Sequence, residues 1–92
     1  MIEPYYNIVS ESEKSKEKQK ARELKKTHWW KLRLQKAVCY YCEKRFSQDL
    51  LTMDHKVPIS RGGKSQRSNV VVCCEECNYQ KKNATPVEML LK

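Results

Sequence analysis

No stretch of the chain approaches the ~18 consecutive apolar residues of a membrane-spanning helix, and its first residues lack the charged start and apolar core of an export signal. Membrane insertion and secretion are therefore not expected, and a reducing cytoplasm is the expected location. No internal repeat divides the chain. Acidic residues are in the minority, with eleven Asp and Glu against nineteen Lys and Arg and a formal charge of +8. A surface of that sign selects polyanions through counterion release, which makes nucleic acid the expected partner. Length is scarce too, since 92 residues allow one small domain. Domains of this size bury little apolar surface and commonly need a metal or disulfides.

Cysteine is what the chain does have. Cys39 and Cys42 form one Cys-x2-Cys pair, Cys74 and Cys77 another, and Cys73 is left over. Four thiolates at this spacing suit a closed tetrahedral zinc site, which supports structure. The competing reading is a dithiol redox motif, which needs a metal-free, low-pKa cysteine. Cys73 falls in a β-branched run and reads as a small buried apolar residue.

The basic excess is uneven. Residues 11–36 carry ten basic and four acidic side chains. Residues 1–10 show no period and Glu11 to Lys20 alternates Lys and Glu with Ser and Gln, so residues 1–20 read as a frayed or flexible basic tail. Residues 21–37 contain strong helix formers with neither Gly nor Pro, and place Trp30, Leu34 and Ala37 at helical spacing. A basic amphipathic helix is expected there, packing its apolar side on the cysteine-rich domain of residues 38–92.

Within that domain, 38–46 forms the first metal knuckle, and Leu50 to Lys56 reads as a short strand ending at Pro58. Gly62 and Gly63 supply a tight or left-handed turn, and Val70-Val71-Val72 a return strand. The expected hairpin carries a basic loop. A short helix over residues 74–83 and a final helix opened by the capping box Thr85-Pro86-Val87-Glu88 complete an α+β order.

The chemistry-bearing residues lie between and beside the cysteines: Asp54-His55, Asn69, and Asn78 directly after Cys77. Hydrolysing a phosphodiester requires a base for the water's proton and a cation for the phosphoryl charge. A carboxylate and an imidazole adjacent on a strand can divide those tasks, because neighbouring side chains there diverge. Each residue also has a plainer role: a local Asp-His hydrogen bond, a turn Asn at a strand entrance, a helix-capping Asn.

Taken together, Cys39-x2-Cys42, Leu51-Thr52-Met53-Asp54-His55, Pro58, Arg61-Gly62-Gly63, Asn69-Val70-Val71 and Cys74-x2-Cys77-Asn78 resemble the HNH endonucleases, over about residues 38–83. His28-Trp29-Trp30-Lys31 also looks like the tail-to-core junction of small bacterial and phage members. The resemblance implies a zinc-stapled, treble-clef-like ββα-metal domain that hydrolyses DNA. It implies His55 as general base, Asp54 and Asn78 as ligands of a catalytic Mg2+ or Mn2+, and Asn69 orienting the loop or the base. With Asn78 where other members carry His, this is the His-Asn-Asn type, and a neutral amide should give weak divalent affinity. Lys31, Arg33, Arg61, Lys64 and Arg67 are the expected DNA contacts.

One active site per chain cuts one strand, so a monomer should nick duplex DNA and a double-strand break would need a dimer or two independent nicks. A monomer or weak dimer is expected, and the resemblance implies 5′-phosphate and 3′-hydroxyl ends. Weak sequence preference is expected, since no long recognition helix or second finger is present. The alternative is a non-catalytic zinc module binding DNA or RNA through its basic helix, with Asp54 and His55 structural.

Overall fold

A computed structural model describes residues 9–81. Helix α1 spans Glu11–Leu24, α2 His28–Gln35, strand β1 Leu51–His55, β2 Val70–Cys74, and α3 Glu75–Lys81. The expected final helix lies outside the described residues. Among those described, no helix is long and apolar enough to cross a membrane.

The amino-terminal region departs from expectation twice. Residues 11–20, expected to fray, belong to a capped helix. Ser10 accepts from the Glu13 amide at 3.1 Å, and the Glu13 carboxylate accepts from the Ser10 amide at 3.0 Å. That reciprocal box satisfies two orphan donors, while Glu11 and Glu13 face the positive end of the helix dipole. Glu17 and Ala21, one turn apart, are buried, so the helix is held by tertiary contact as well. The single helix expected over 21–37 is interrupted. Thr27 starts a second helix, its hydroxyl accepting from the Trp30 amide at 3.2 Å and donating to the Leu24 carbonyl at 2.7 Å. A threonine that bonds local backbone favours a cap over a helix interior. Ala37, expected on the helix's apolar side, lies beyond its end at φ 58°.

Beyond α2 the chain makes a knuckle. Val38 bridges Arg45, and the Cys39 amide donates to the Lys44 carbonyl at 3.0 Å. The Tyr40 amide donates to the Val72 carbonyl at 2.8 Å, fixing the knuckle to β2. Strands β1 and β2 pair antiparallel, with Leu51 opposite Cys74 and His55 opposite Val70. Short 3-10 turns at Gln48–Leu50, Ile59–Arg61 and Arg67–Asn69 shorten the expected β1 and turn the connection into a wide loop.

Gly62 takes the left-handed conformation at φ 92°. At Gly63 the requirement is space, since an added Cβ would lie 1.7 Å from the Val57 carbonyl oxygen.

The core has two parts. Trp30, 4% exposed, packs with Val70 and Val72 and is flanked by Leu24, Trp29, Leu34, Leu51 and Met53. The second gathers Cys39, Cys73 and Cys74 with Tyr41 and Phe46. The small α+β fold, with its four clustered cysteines, is that of a ββα unit stapled at one end.

Candidate active site

The staple forms first from sequence. Cys39 and Cys42 sit on the knuckle, Cys74 ends β2 and Cys77 lies on α3, and the four sulfurs all fall within 4.8 Å of one another. Zinc–sulfur bonds of about 2.3 Å in a tetrahedron separate sulfurs by about 3.8 Å; Cys42 and Cys74 are 3.9 Å apart. Backbone donors face the cluster, the Cys77 amide reaching the Cys74 sulfur at 3.4 Å. Burial raises the Cys39 thiol, but amides of Cys42, Cys74 and Tyr41 outweigh it and bring the group to about 6. The cluster can therefore hold a structural metal such as zinc. Cys73 is fully buried, bonds the Cys74 carbonyl at 3.3 Å, and is pushed up chiefly by burial, as fits a packing residue.

Asp54 and His55 end β1, and alternation along the strand sends them apart. Asp54 is buried. Its Oδ2 accepts from the Tyr41 hydroxyl at 2.7 Å and lies 3.4 Å from the Lys81 ammonium. Burial, then the bond to Asp54, raises Tyr41, which keeps its proton and donates. Lys81, only 1% exposed, also donates to the His55 carbonyl at 2.9 Å. The His55 ring is half-buried, with Nε2 2.9 Å from the Ser65 hydroxyl. Burial lowers its proton affinity, opposed by the charges of Asp54 and Glu17, and favours the neutral ring a base requires.

Asn69 holds the loop that meets His55. Its Oδ1 accepts from the Val57 amide at 2.9 Å, and its Nδ2 donates to the carbonyls of Val57 at 3.1 Å and Lys64 at 2.9 Å. Among the described residues, each of these bonds goes to backbone.

Asn78 is exposed on α3 and lines an open depression with Asp49, Leu50, Leu51, Thr52 and Glu75. Thr52 and Asp54 share a strand face about 6.7 Å apart, while Asn78 and Lys81 are about 4.5 Å apart along the helix. Helix α3 thus sets Lys81 against Asp54 and Asn78 nearer Thr52, toward the cysteine end.

Of the residues expected at DNA, Arg33 on α2 and Arg67 in the loop lie over the Trp29 ring at 4.7 and 5.1 Å from its centroid. One aromatic ring therefore joins helix and loop into a basic surface. Lys31 and Lys64 are exposed, and Arg61 closes the 3-10 turn at Ile59–Arg61.

A family model described as HNH endonuclease matches residues 39–90, more than half of the chain. The chain belongs to the HNH endonuclease family. Comparison with curated proteins finds no match.

In this HNH domain the structure adds four residues to those expected from sequence: Tyr41, Lys81, Ser65 and Glu17. Lys81 is one helical turn past Asn78 and Cys77, so its placement over β1 follows from helix period once α3 is assigned. Tyr41 lies between two metal-type cysteines, and its facing Asp54 requires the knuckle's docking on β2. Glu17 and Ser65 are 48 residues apart, and no local pattern links them.

Proposed function

We propose that this HNH protein is a metal-dependent DNA endonuclease that nicks duplex DNA with weak sequence preference. The observation that carries the reading is the Asp54-His55 pair at the end of β1, with Asp54 buried against Tyr41 of the knuckle and Lys81 of α3, inside the family-matched stretch. Cys39, Cys42, Cys74 and Cys77 would hold a zinc ion and so tie the knuckle to the start of α3.

Asp54 and Asn78 would supply oxygen donors with one negative charge to a hard cation that keeps most of its waters, those waters spanning the offset between the two side chains. Mg2+ or Mn2+, when bound, neutralises charge on the phosphoryl oxygens and the departing 3′-oxygen. His55 takes the proton of the attacking water. Tyr41 and Lys81 hold the Asp54 carboxylate, and Asn69 fixes the loop beside the base. Arg33 and Arg67 on Trp29, with Lys31, Arg61 and Lys64, meet backbone phosphates. The protein acts as a monomer or weak dimer in a reducing cytoplasm and leaves 5′-phosphate ends.

One observation favours the alternative of a non-catalytic zinc module that binds nucleic acid: the Asp54 carboxylate is engaged by Lys81 and Tyr41, as a purely structural aspartate would be. Supercoiled plasmid separates the two readings. With Mg2+ or Mn2+, the zinc-loaded wild type converts it to open circle and His55→Ala, retaining zinc and DNA affinity, does not. Equal inactivity of both, with DNA binding intact, supports the binding module.

A further inference from the structure

We propose that Glu17 and Ser65 are positioning residues for His55, acting together to fix which ring nitrogen carries its proton. The inference rests on the reading of His55 as general base. Its geometry stands independently of that reading.

The hydroxyl of Ser65 lies 2.5 Å from the Glu17 carbonyl oxygen and 2.9 Å from His55 Nε2. A carbonyl only accepts, so the single hydroxyl hydrogen points at Glu17. Toward His55 the same oxygen must therefore accept, which places the imidazole hydrogen on Nε2 and leaves the lone pair on Nδ1. A neutral imidazole free in water exchanges between both tautomers. Here one of them has a built partner and the other would set two lone pairs against each other.

Ser65 is held for this task from two sides. Its amide donates to Glu17 Oε1 at 2.6 Å, so one residue of α1 grips both its backbone and its side chain. From the other side Asn69 fixes the preceding carbonyl, that of Lys64, at 2.9 Å. The Glu17 side chain is 6% exposed, and its Oε2 lies 3.4 Å from the Lys20 ammonium. A buried carboxylate with both oxygens partnered is a rigid anchor. Glu17 also lies before the family-matched residues 39–90, so helix α1 brings to the site something outside the matched HNH stretch. An amino-terminal helix read from sequence as a basic tail thus completes the surroundings of the base.

Long-range proton–nitrogen NMR of the zinc-loaded, nitrogen-15-labelled full chain, at a pH where His55 is neutral, tests the proposal without any nuclease activity. The wild type is expected to show one tautomer, with bare Nδ1 and protonated Nε2. Ser65→Ala is expected to move both nitrogens toward averaged values, Ser65→Thr to restore the wild-type pattern, and Glu17→Ala to move them in the same direction as Ser65→Ala. A wild type with protonated Nδ1, or a Ser65→Ala spectrum unchanged from it, overturns the proposal, and an unchanged Glu17→Ala spectrum removes the Glu17 carboxylate from it, leaving only the main-chain carbonyl. In plasmid nicking, Ser65→Ala should lose about 10-fold in kcat with KM unchanged, and Ser65→Thr should recover it. If Ser65→Ala shifts the tautomer while His55→Ala still cuts like wild type, the reading of His55 as general base fails and the positioning stands. If His55→Ala is inactive while Ser65→Ala leaves the tautomer fixed, the positioning fails and the nuclease reading stands.

Discussion

Replacing Asn69 with aspartate preserves its shape and isolates its chemistry. The native amide accepts from the Val57 amide at 2.9 Å and donates to two carbonyls, Val57 at 3.1 Å and Lys64 at 2.9 Å. Asn69→Asp keeps the acceptor but turns the two donors into an anionic oxygen facing those carbonyls. Losing two buried hydrogen bonds costs about 2 kcal/mol, and burying a charge against carbonyl dipoles adds at least about 1 more. For a domain of this size about 3 kcal/mol lowers Tm by about 12 °C or more. Protonation returns one donor, so the introduced carboxyl titrates higher in the folded than in the unfolded chain. The unfolded state then releases its proton first, and the variant's stability falls as pH rises through the folded value. Circular-dichroism melts of zinc-loaded wild type and Asn69→Asp at matched pH should show a gap that widens from mildly acidic to neutral conditions. A variant melting within about 4 °C of wild type at neutral pH would refute the role assigned to Asn69.

Gly63→Ala, whose Cβ would lie 1.7 Å from the Val57 carbonyl, should melt far below Gly62→Ala, which meets nothing within 4 Å and costs about 1 kcal/mol for its φ of 92°; equal melting temperatures would contradict the close approach. Lys81→Met leaves the Asp54 carboxylate buried without its cation and should cost about 3–5 kcal/mol, read as a lower denaturant midpoint, whereas an unchanged midpoint would dismiss the buried pair. Glu17 is held below the usual carboxyl range, chiefly by the Ser65 amide, so its contribution to stability is present above the unfolded value near 4.3 and fades as pH falls through the lower folded one. The stability gap between wild type and Glu17→Ala should accordingly close in acid, and a gap independent of pH would count against the charged anchor.

What was legible in the sequence was local. Two Cys-x2-Cys pairs, a β-branched run and two turn glycines have short-range signatures, and they place the staple and the two strands. The Ser10–Glu13 capping box is local as well, but a polar, alternating helix has no apolar stripe to announce it, and α1 shows its purpose only where Glu17 and Ala21 are buried against the loop. The break at Thr27 was masked by the helix formers around it. In the site, adjacency gave Asp54 with His55, whereas their partners come from elements far apart in sequence: Tyr41 from the knuckle, Lys81 from α3, Ser65 from the loop and Glu17 from α1. Such pairings are set by packing, which no window of sequence contains.

In the proposed reaction the His55 imidazole takes part in the cleavage of DNA. Chemical rescue tests it most directly: His55→Gly, zinc-loaded and shown to bind DNA, is assayed for plasmid nicking with Mn2+ in the presence and absence of added imidazole. No nicking is expected without imidazole, and a concentration-dependent return of open circle with it. Undiminished nicking by His55→Gly alone would contradict that role.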